Sequence, residues 1–374
     1  MTANHPQLKI IYHHPRPITS NGMTGSQVRP YRMLKAFREL GVDVVEVTGD
    51  ASTRSHIMRQ TRERISNGEK FDFVYSENLT IPLAMSEAHR LPLHPLLDHG
   101  FLAFCSAQGI PVSMYYRDAF WRVKSYRKML PWLGRMLTIP LYWYDWWRHS
   151  HHLNTLYLPS EATGKVLPCM GKFPSVKYLP PGTEIRETDT SYDQSGSLRL
   201  LYVGGIEPPT YDLRPLLEAI QKTDACVTLT LCCRIKEWNR VRELYRPFLN
   251  NRIVVVHRSG KELESLYGGS DLCAIALSQG SYFDLALPIK IFESIGFGLP
   301  ILCTPGGEPA RIVESEGLGW VKKPDEIAVF LEELAKHPEQ LQKQRDKLKK
   351  LRHKHTWKSR AEQVCNEMSA HQRI

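Results

Sequence analysis

The segment PIKIFESIGFGLPILCTPGG, residues 288–307, contains the order of elements that decides the fold. A helix-forming run ends at glycines, a short apolar strand follows, and Gly306-Gly307 precede a helix predicted to begin at Glu308 or Pro309. A buried strand between two helices is typical of a parallel sheet with helices on its faces. This segment therefore predicts an α/β fold.

The same alternation of strands and helices extends in both directions from this segment. One series begins at LKIIYHH, residues 8–14, and a second begins at LRLLYVGGI, residues 198–206. A polar stretch without apolar periodicity, RETDTSYDQSGS, separates them. We predict two doubly wound, Rossmann-like domains facing a cleft, with these bounds: 1–185, a linker at 186–197, a second domain at 198–355, and a closing helix at 356–374.

Composition narrows the class of protein. The chain has 374 residues and a formal charge of +10, which favours an anionic partner. No zinc-finger or RNA-binding motif is present, so nucleic acid is not predicted. The first residues do not resemble a signal peptide, and the eight cysteines lack metal-ligand spacing. We expect a cytoplasmic protein with reduced thiols and no metal.

Two features of the 288–307 segment suggest a nucleotide site. Lys290 and Glu293 are three residues apart, which on a helix places them on one face, predicted to point into the cleft. Gly306-Gly307 at a strand end, before a helix, offer unhindered amides to a phosphate. The alternative is a surface ion pair and an ordinary turn, and the residues alone weigh both equally.

The longer segment LPIKIFESIGFGLPILCTPGGEPARIVE resembles the donor-binding core of GT-B fold glycosyltransferases. It is most similar to the large retaining family of sucrose synthase, glycogen synthases and bacterial mannosyltransferases. The segments GMTGSQVRPYRMLKAFRELG, YLPPGTE, LRLLYVGGI and HTWKSRAEQV resemble further parts of that family in the same order. The resemblance implies an acceptor-binding first domain, a nucleotide-sugar-binding second domain, and a closing helix that crosses back to the first.

The resemblance assigns roles to matching positions. Glu293 matches the glutamate that binds the ribose, and Lys290 matches a lysine near the donor phosphates. Gly306 and Gly307 match the backbone that meets the diphosphate or sugar. Gly25 matches a glycine of the first domain that approaches the donor phosphate. The donor is then a UDP- or GDP-linked sugar, which is a substrate, and no cofactor is expected.

Two positions depart from the family pattern and indicate a divergent member. Leu285, with Asp284 beside it, stands where the family often has a glutamate that contacts the transferred sugar. Gly205 stands where a phosphate-binding arginine is common. Arg234 is the first candidate for the missing cation and Lys236 the second, although both could instead be solvated residues opening a helix.

The first domain offers two carboxylates to the acceptor side. Asp118 follows a predicted strand, where it could act as a base on the acceptor hydroxyl or hold a hydroxyl of the donor sugar. Its alternative roles are a helix N-cap or an ion pair with Arg117. Glu77, at the end of another strand, is the second acceptor-side candidate. A retaining, metal-independent reaction is favoured over an inverting one by the resemblance.

Residues 119–152 combine aromatic and basic side chains, including five of the eight tryptophans. Internal prolines and charges argue against a spanning helix, whereas Trp, Tyr and Arg favour a membrane interface. We predict contact with the anionic inner face of the plasma membrane or with the acceptor through Arg122, Trp143, Trp146 and Trp147. The alternative is a core or an oligomer interface.

The sequence thus predicts a glycosyltransferase that moves a sugar from a nucleotide diphosphate to a glycan or lipid-linked acceptor, in bacterial surface polysaccharide or glycolipid assembly. Two alternatives stay open: a non-catalytic GT-B scaffold that binds membrane or a partner, and another GT-B enzyme such as a sugar-nucleotide epimerase.

Overall fold

The computed structural model describes residues 8–20, 25–123, 131–187, 197–209, 211–277, 284–285 and 287–372. Several predicted features lie wholly or partly outside these ranges. They are most of the linker, residues 124–130 of the aromatic segment, and most of residues 278–286, which surround Asp284 and Leu285. The chain divides into two compact units. Unit 1 comprises Met1–Pro180 with Trp357–Ile374, and unit 2 comprises Pro181–Thr356.

Unit 1 is built on a sheet of six parallel strands in the order β2-β1-β3-β4-β5-β6. The strands are β1 (Lys9–His14), β2 (Asp43–Thr48), β3 (Phe73–Glu77), β4 (Val112–Tyr115), β5 (Thr155–Leu158) and β6 (Ser175–Tyr178). The helices are α1 (Gly25–Glu39), α2 (Ala51–Ser66), α3 (Leu97–Ala107), α4 (Trp132–His152), α5 (Glu161–Val166) and α13 (Trp357–Ser369).

Unit 2 repeats this plan with the strand order β12-β11-β10-β7-β8-β9, again parallel throughout. The strands are β7 (Leu198–Val203), β8 (Val227–Cys232), β9 (Ile253–Val256), β10 (Leu272–Ile275), β11 (Ile301–Cys303) and β12 (Gly319–Val321). The helices are α6 (Arg214–Lys222), α7 (Ile235–Tyr245), α8 (Glu262–Gly268), α9 (Ile289–Gly296), α10 (Gly307–Ser315), α11 (Ile327–Lys336) and α12 (Pro338–Leu351).

Single turns of 3-10 helix connect several of these elements. They are Leu83–Met85, Phe120–Arg122, Met170–Lys172, Arg246–Phe248, Pro324–Glu326, Arg352–His355 and Ala370–Gln372.

Both faces of each sheet are buried, as parallel sheets require. In unit 2, Leu200 and Tyr202 pack into one apolar cluster while Leu201, between them, packs into another on the opposite face. In unit 1, Ile11 belongs to the core beneath α3 and α4, whereas Tyr12 joins an aromatic cluster with Phe37 of α1. The predicted α/β fold with two parallel sheets is confirmed.

Local sequence explains where the functional elements begin and end. The carboxylate of Asp50 caps α2 by accepting a bond from the Thr53 amide at 2.8 Å. Pro288 precedes α9, and Gly298, at φ +65°, ends the turn that follows it. The helix after the Gly-Gly pair begins at Gly307, slightly earlier than the predicted Glu308 or Pro309, with Gly306 as its N-cap.

Candidate functional site

The site in unit 2 centres on Lys290, in the first turn of α9. Its side chain is only 9% exposed, and its Nζ lies 4.5 Å from the ring centroid of Tyr202 and 5.7 Å from that of Tyr211. Within the described residues, this Nζ has no hydrogen-bond partner. Burial lowers the pKa of Lys290 to about 8, although nearby Cys273, Cys303 and Glu293 oppose that shift. A buried amino group without a hydrogen-bond partner among the described residues is suited to bind an anionic ligand.

The loop after β7 leaves open the space beside this amino group. A side chain at Gly204, where φ is +150°, would place its Cβ 3.2 Å from Lys290 Nζ. A Cβ at Gly205 would lie 2.7 Å from the Tyr211 ring. The Tyr202 hydroxyl donates to the Gly205 carbonyl oxygen at 2.6 Å and so fixes the loop. Tyr211 therefore lies against the position where the family often has an arginine.

Glu293 lies one turn further along α9 and is half-buried. The Tyr267 hydroxyl donates to Glu293 Oε2 at 3.1 Å. Tyr267 is itself buried and stacked on Phe297, with ring centroids 4.9 Å apart. The carboxylate is thus held by a rigid aromatic pair, which is the arrangement that orients an acceptor of hydroxyl hydrogen bonds.

Gly306 and Gly307 follow β11, on the far side of β10 from β7. Both adopt the positive φ that favours glycine, at +108° and +69°. Because β10 lies between β7 and β11, the two glycine loops are two strand spacings apart, about 10 Å. Glu308, in the first turn of α10, is buried and paired with Arg311. The carboxyl edge of this sheet therefore combines two glycine loops with a buried amino group.

Two further predicted residues belong to unit 2. Arg234 is the N-cap of α7, after β8; its side chain is 68% exposed, and its Nη1 lies 2.7 Å from Glu237 Oε1. Glu237 Oε2 in turn accepts from the Ile206 amide at 3.3 Å. Arg234 thus opens a helix, and its predicted role toward the diphosphate stays a prediction. Asp284 is half-buried.

Glu77 of unit 1 requires a correction. It was predicted on the acceptor side, but its side chain is entirely buried. It accepts from the Tyr75 hydroxyl at 2.9 Å and forms ion pairs with Arg29 at 3.3 Å and Arg117 at 3.5 Å. With its charge balanced in this way, Glu77 organises the interior and has no exposed surface for a substrate.

Asp118 lies half-buried in the loop between β4 and the turn Phe120–Arg122. The N-cap of that turn is Ala119, so Asp118 does not cap it. Gly25 is the first residue of α1. Their predicted roles toward a substrate stay predictions.

The aromatic segment divides into buried and exposed residues, and this corrects one prediction. Trp146, predicted at a membrane or acceptor surface, is 3% exposed; its Nε1 donates to the Pro168 carbonyl oxygen at 2.9 Å. Trp143 and Trp147 are 43% and 50% exposed. Arg122 lies over the rings of Trp121 and Trp143, at 5.4 and 5.7 Å. Trp146 belongs to the core because it lies on the face of α4 that packs against the sheet.

A buried polar network in unit 1 was not predicted. Arg54 donates to both carboxylate oxygens of Asp98, at 2.9 and 3.1 Å, and to the carbonyl oxygens of Pro15 and Gly49. His13 bridges Asp98 and Ser76. The sequence shows only an unusual His-His pair at the end of β1, which does not reveal partners so distant along the chain.

The described ranges contain neither a candidate membrane span nor a candidate metal cluster. No helix there is both long and apolar enough to cross a bilayer. No group of three or more His, Cys, Asp or Glu side chains there is arranged to hold a metal ion.

Comparison with known proteins gives the fold and the class of the second unit. Residues 197–337 match the family model described as Glycosyl transferases group 1. Curated protein sequences give no match. Three similar solved structures are HepE from Anabaena in complex with UDP, the lipopolysaccharide outer core galactosyltransferase WaaB, and sucrose-phosphate synthase from Thermosynechococcus elongatus.

These likenesses extend over nearly whole chains at low identity. HepE is 13% identical, with a TM-score of 0.59 over 97% of this chain and 100% of its own. WaaB is 10% identical, with a TM-score of 0.60 over 98% and 100%. The synthase is 11% identical, with a TM-score of 0.58 over 96% and 98%. The chain therefore has the fold of GT-B glycosyltransferases, and its residues 197–337 match the model of the group 1 glycosyltransferase family.

Proposed function

We propose that the chain transfers a sugar from a nucleotide diphosphate to a hydroxyl of a glycan or lipid-linked acceptor, with the nucleotide bound at the carboxyl edge of the unit 2 sheet. The observation that carries this proposal is the buried Lys290 amino group beside Gly204, which has no hydrogen-bond partner among the described residues. Burying an unpaired cation is unfavourable, and a phosphate oxygen is the partner that removes this cost.

The chemistry assigns a role to each part of the edge. The bond between the anomeric carbon and the β-phosphate oxygen breaks, and the acceptor oxygen bonds to that carbon and loses its proton. Negative charge then grows on the departing nucleoside diphosphate. The Lys290 ammonium, and the amides of Gly306-Gly307 at the α10 N-terminus, stabilise that charge. In the retaining reaction that we favour, the departing phosphate accepts the proton, while Asp118 holds a sugar or acceptor hydroxyl.

Glu293 supports a nucleotide as the carrier of the diphosphate. A carboxylate fixed by Tyr267 accepts well from the two hydroxyls of a ribose. The solved HepE complexes contain UDP or UDP-glucose, which supports a UDP-linked donor here, with GDP as the second choice. WaaB acts on lipopolysaccharide outer core, which supports a role in surface polysaccharide or glycolipid assembly.

The first experiment is a thermal-shift panel of UDP, GDP, ADP, CMP and dTDP, each with and without EDTA. A nucleotide at 100 times its dissociation constant stabilises the folded state by about 2.7 kcal/mol. We expect one nucleotide, UDP first, to raise the melting temperature regardless of EDTA. Absence of any shift would favour the non-catalytic scaffold.

Substitution of Glu293 tests whether turnover uses this edge. We expect Glu293→Gln to lower hydrolysis or transfer of the matching nucleotide sugar by at least tenfold, since the ribose loses a charged hydrogen-bond acceptor. The control is Glu314→Gln, an exposed carboxylate on the neighbouring helix α10. Equal turnover in the two variants would remove Glu293 from the site.

We further propose that α4 attaches the protein to the anionic inner face of the membrane. Its positions 132, 136, 143 and 147 form one stripe at helical spacing, occupied by Trp132, Met136, Trp143 and Trp147, all exposed. Arg135 is exposed beside this stripe. Exposed tryptophan with arginine suits lipid headgroups better than water.

Flotation with liposomes containing phosphatidylglycerol tests this attachment. We expect Trp132→Ala/Trp147→Ala to reduce the bound fraction severalfold, since each exposed indole loses its interfacial contact. Leu244→Ala removes an equally exposed apolar side chain from unit 2 and is expected to change nothing. Unchanged flotation of the tryptophan variant would exclude α4 as the contact.

A further inference from the structure

A cavity of about 380 Å³ lies within unit 1, and the donor-site residues of unit 2 described above are not part of its lining. It is formed at the carboxyl ends of β1, β3 and β4. Arg16, Arg90, Arg117, His14, Thr80 and Gln27 contribute its polar lining, and Leu79, Ile81 and Ile18 contribute apolar walls. Among the described residues, no acidic side chain lines it. The cavity is therefore cationic.

The two carboxylates closest to this lining, among the described ion pairs, are each shared with another arginine. Glu77 pairs with Arg117 at 3.5 Å and also with Arg29 at 3.3 Å, so this carboxylate is shared by two guanidinium groups. Glu87, which attracts Arg16, lies 3.3 Å from Arg54 Nη1. Among the described lining residues, three arginines therefore face the cavity with no carboxylate.

Arg16 and Arg90 repel each other across the cavity wall. Burial and the charge of Arg90 lower the pKa of Arg16. Arg90 has φ of +57°, a backbone conformation that side chains other than glycine and asparagine rarely adopt. Unfavourable conformations and charge arrangements of this kind are found at ligand sites, where the ligand offsets them.

His14 adds a different hydrogen-bonding group. Its Nδ1 lies 2.9 Å from the Arg16 carbonyl oxygen, which can only accept, so Nδ1 carries the proton. Burial lowers the pKa of His14 to about 3, so the ring is neutral at pH 7 and Nε2 is an acceptor. Within the described part of the chain this buried Nε2 has no partner. It suits a ligand hydroxyl, whereas the arginines suit an anion.

We propose that this cavity binds a sugar acceptor that carries a carboxylate or a phosphate, with the anionic group at Arg16 and Arg90 and a hydroxyl at His14 Nε2. The inference rests on the proposed transfer reaction and specifies its acceptor. A sugar ring between the anion and the hydroxyl explains why apolar side chains line the remaining walls, since they pack against the C–H groups of the ring.

Calorimetric titration of the full chain, without nucleotide, tests the acceptor directly. The probes are glucose 6-phosphate, glucuronic acid, glucose and inorganic phosphate. We expect at least one anionic sugar to bind at least tenfold more tightly than glucose, and the preferred anion distinguishes phosphate from carboxylate. Absence of binding by all three anions at about 10 mM, roughly ten times the upper end of ordinary substrate constants, would overturn the proposal.

Variants separate the parts of the cavity. We expect Arg16→Gln/Arg90→Gln to weaken binding of the anionic sugar at least tenfold, whereas Arg59→Gln, an exposed arginine of α2, leaves it unchanged. We expect His14→Phe to weaken the sugar but not inorganic phosphate, provided that a melting curve shows it folded. Equal affinities in the arginine variant and the parent would overturn the proposal.

Failure of the acceptor site is distinguishable from failure of the donor site. If UDP binds in a Glu293-dependent manner while no anionic sugar binds, only the acceptor proposal falls. If anionic sugars bind while no nucleotide does, the transfer reaction falls and the cavity stays a binding site. If Arg16→Gln/Arg90→Gln weakens UDP but no sugar, these arginines serve the donor phosphates and the acceptor proposal is overturned.

Discussion

Buried charges are treated differently in the two units. In unit 1, Arg54 is 1% exposed and donates to a carboxylate, two carbonyl oxygens and the Ser86 hydroxyl. In unit 2, Lys290 is nearly as buried, but its amino group lies near the ring of Tyr202 and has no hydrogen-bond partner among the described residues. A satisfied charge stabilises a fold, whereas an unsatisfied one reduces stability until a ligand arrives. By this criterion Arg54 is a structural cation and Lys290 is a candidate functional one.

The largest expected effect concerns the satisfied charge. Asp98→Asn removes the carboxylate shared by Arg54 and His13, and leaves the buried guanidinium with Glu87, at 3.3 Å, as its remaining counter-charge. We expect the free energy of unfolding of unit 1 to fall by about 3–5 kcal/mol, measured by calorimetry. Asp346→Asn, an exposed carboxylate of α12, is the control and should be neutral. A loss under about 1 kcal/mol at Asp98 would show that this network contributes little.

The unsatisfied charge should behave in the opposite way. The pKa of Lys290 is about 8 when folded and near 10.5 when unfolded, so the unfolded state binds more protons between these values. The cost of burying the charge is thus fully present below pH 8, reaches about 3 kcal/mol, and disappears as the pH rises to 10.5. A substitution that removes the amino group would remove this cost. It would also remove the contact between Lys290 Nζ and the Tyr202 ring, which contributes about 0.5–2 kcal/mol of stability.

We therefore expect Lys290→Met to keep or raise the free energy of unfolding at pH 7, yet to weaken nucleotide binding about 10–100-fold. In the parent protein, nucleotide affinity should decline above pH 8 as the amino group loses its proton, and the variant should lack this decline. Calorimetric titration from pH 7.5 to 9.5, flanking the titration at about 8, measures both. Destabilisation by Lys290→Met with unchanged affinity would make Lys290 a structural residue like Arg54.

The smallest effect is expected at Arg234, a solvent-exposed cation paired with Glu237. Exposed ion pairs contribute about 0–1 kcal/mol, so Arg234→Gln should shift the melting temperature little. If Arg234 neutralises the departing diphosphate, as predicted, turnover by the Arg234→Gln variant falls while its melting temperature is unchanged. Unchanged turnover would leave this role to Lys290 and the glycine amides alone.

Much of the fold was predictable because its signals are local. The β-branched and aromatic strands, and glycines such as Gly41 and Gly298 after helices, need only neighbouring residues to be interpreted. The Gly306-Gly307 turn before α10 was predictable for the same reason, to within two residues of the observed helix start.

The rest depends on contacts between distant residues. The i, i+3 spacing of Lys290 and Glu293 is visible in the sequence, but Tyr202 and Tyr211, which surround the amino group, come from a different loop. Trp146 and Trp147 are adjacent and chemically identical, yet only one is buried, because the orientation of α4 on the sheet decides it. Glu77 likewise follows its strand as predicted, and its two arginine partners could not be inferred from spacing.

The position of α13 in chain order affects how the protein emerges from the ribosome. In unit 1, α13 packs beside α1 and buries Val364, Cys365 and Met368. All of unit 2 is synthesised after α1 and before α13. The ends of unit 2 are adjacent, because Thr183 pairs with Thr356 and its amide donates to the His355 carbonyl oxygen at 2.8 Å. Unit 2 can therefore fold during translation, before unit 1 receives the helix that covers one of its apolar faces. The unit that is begun first is therefore the last to be completed.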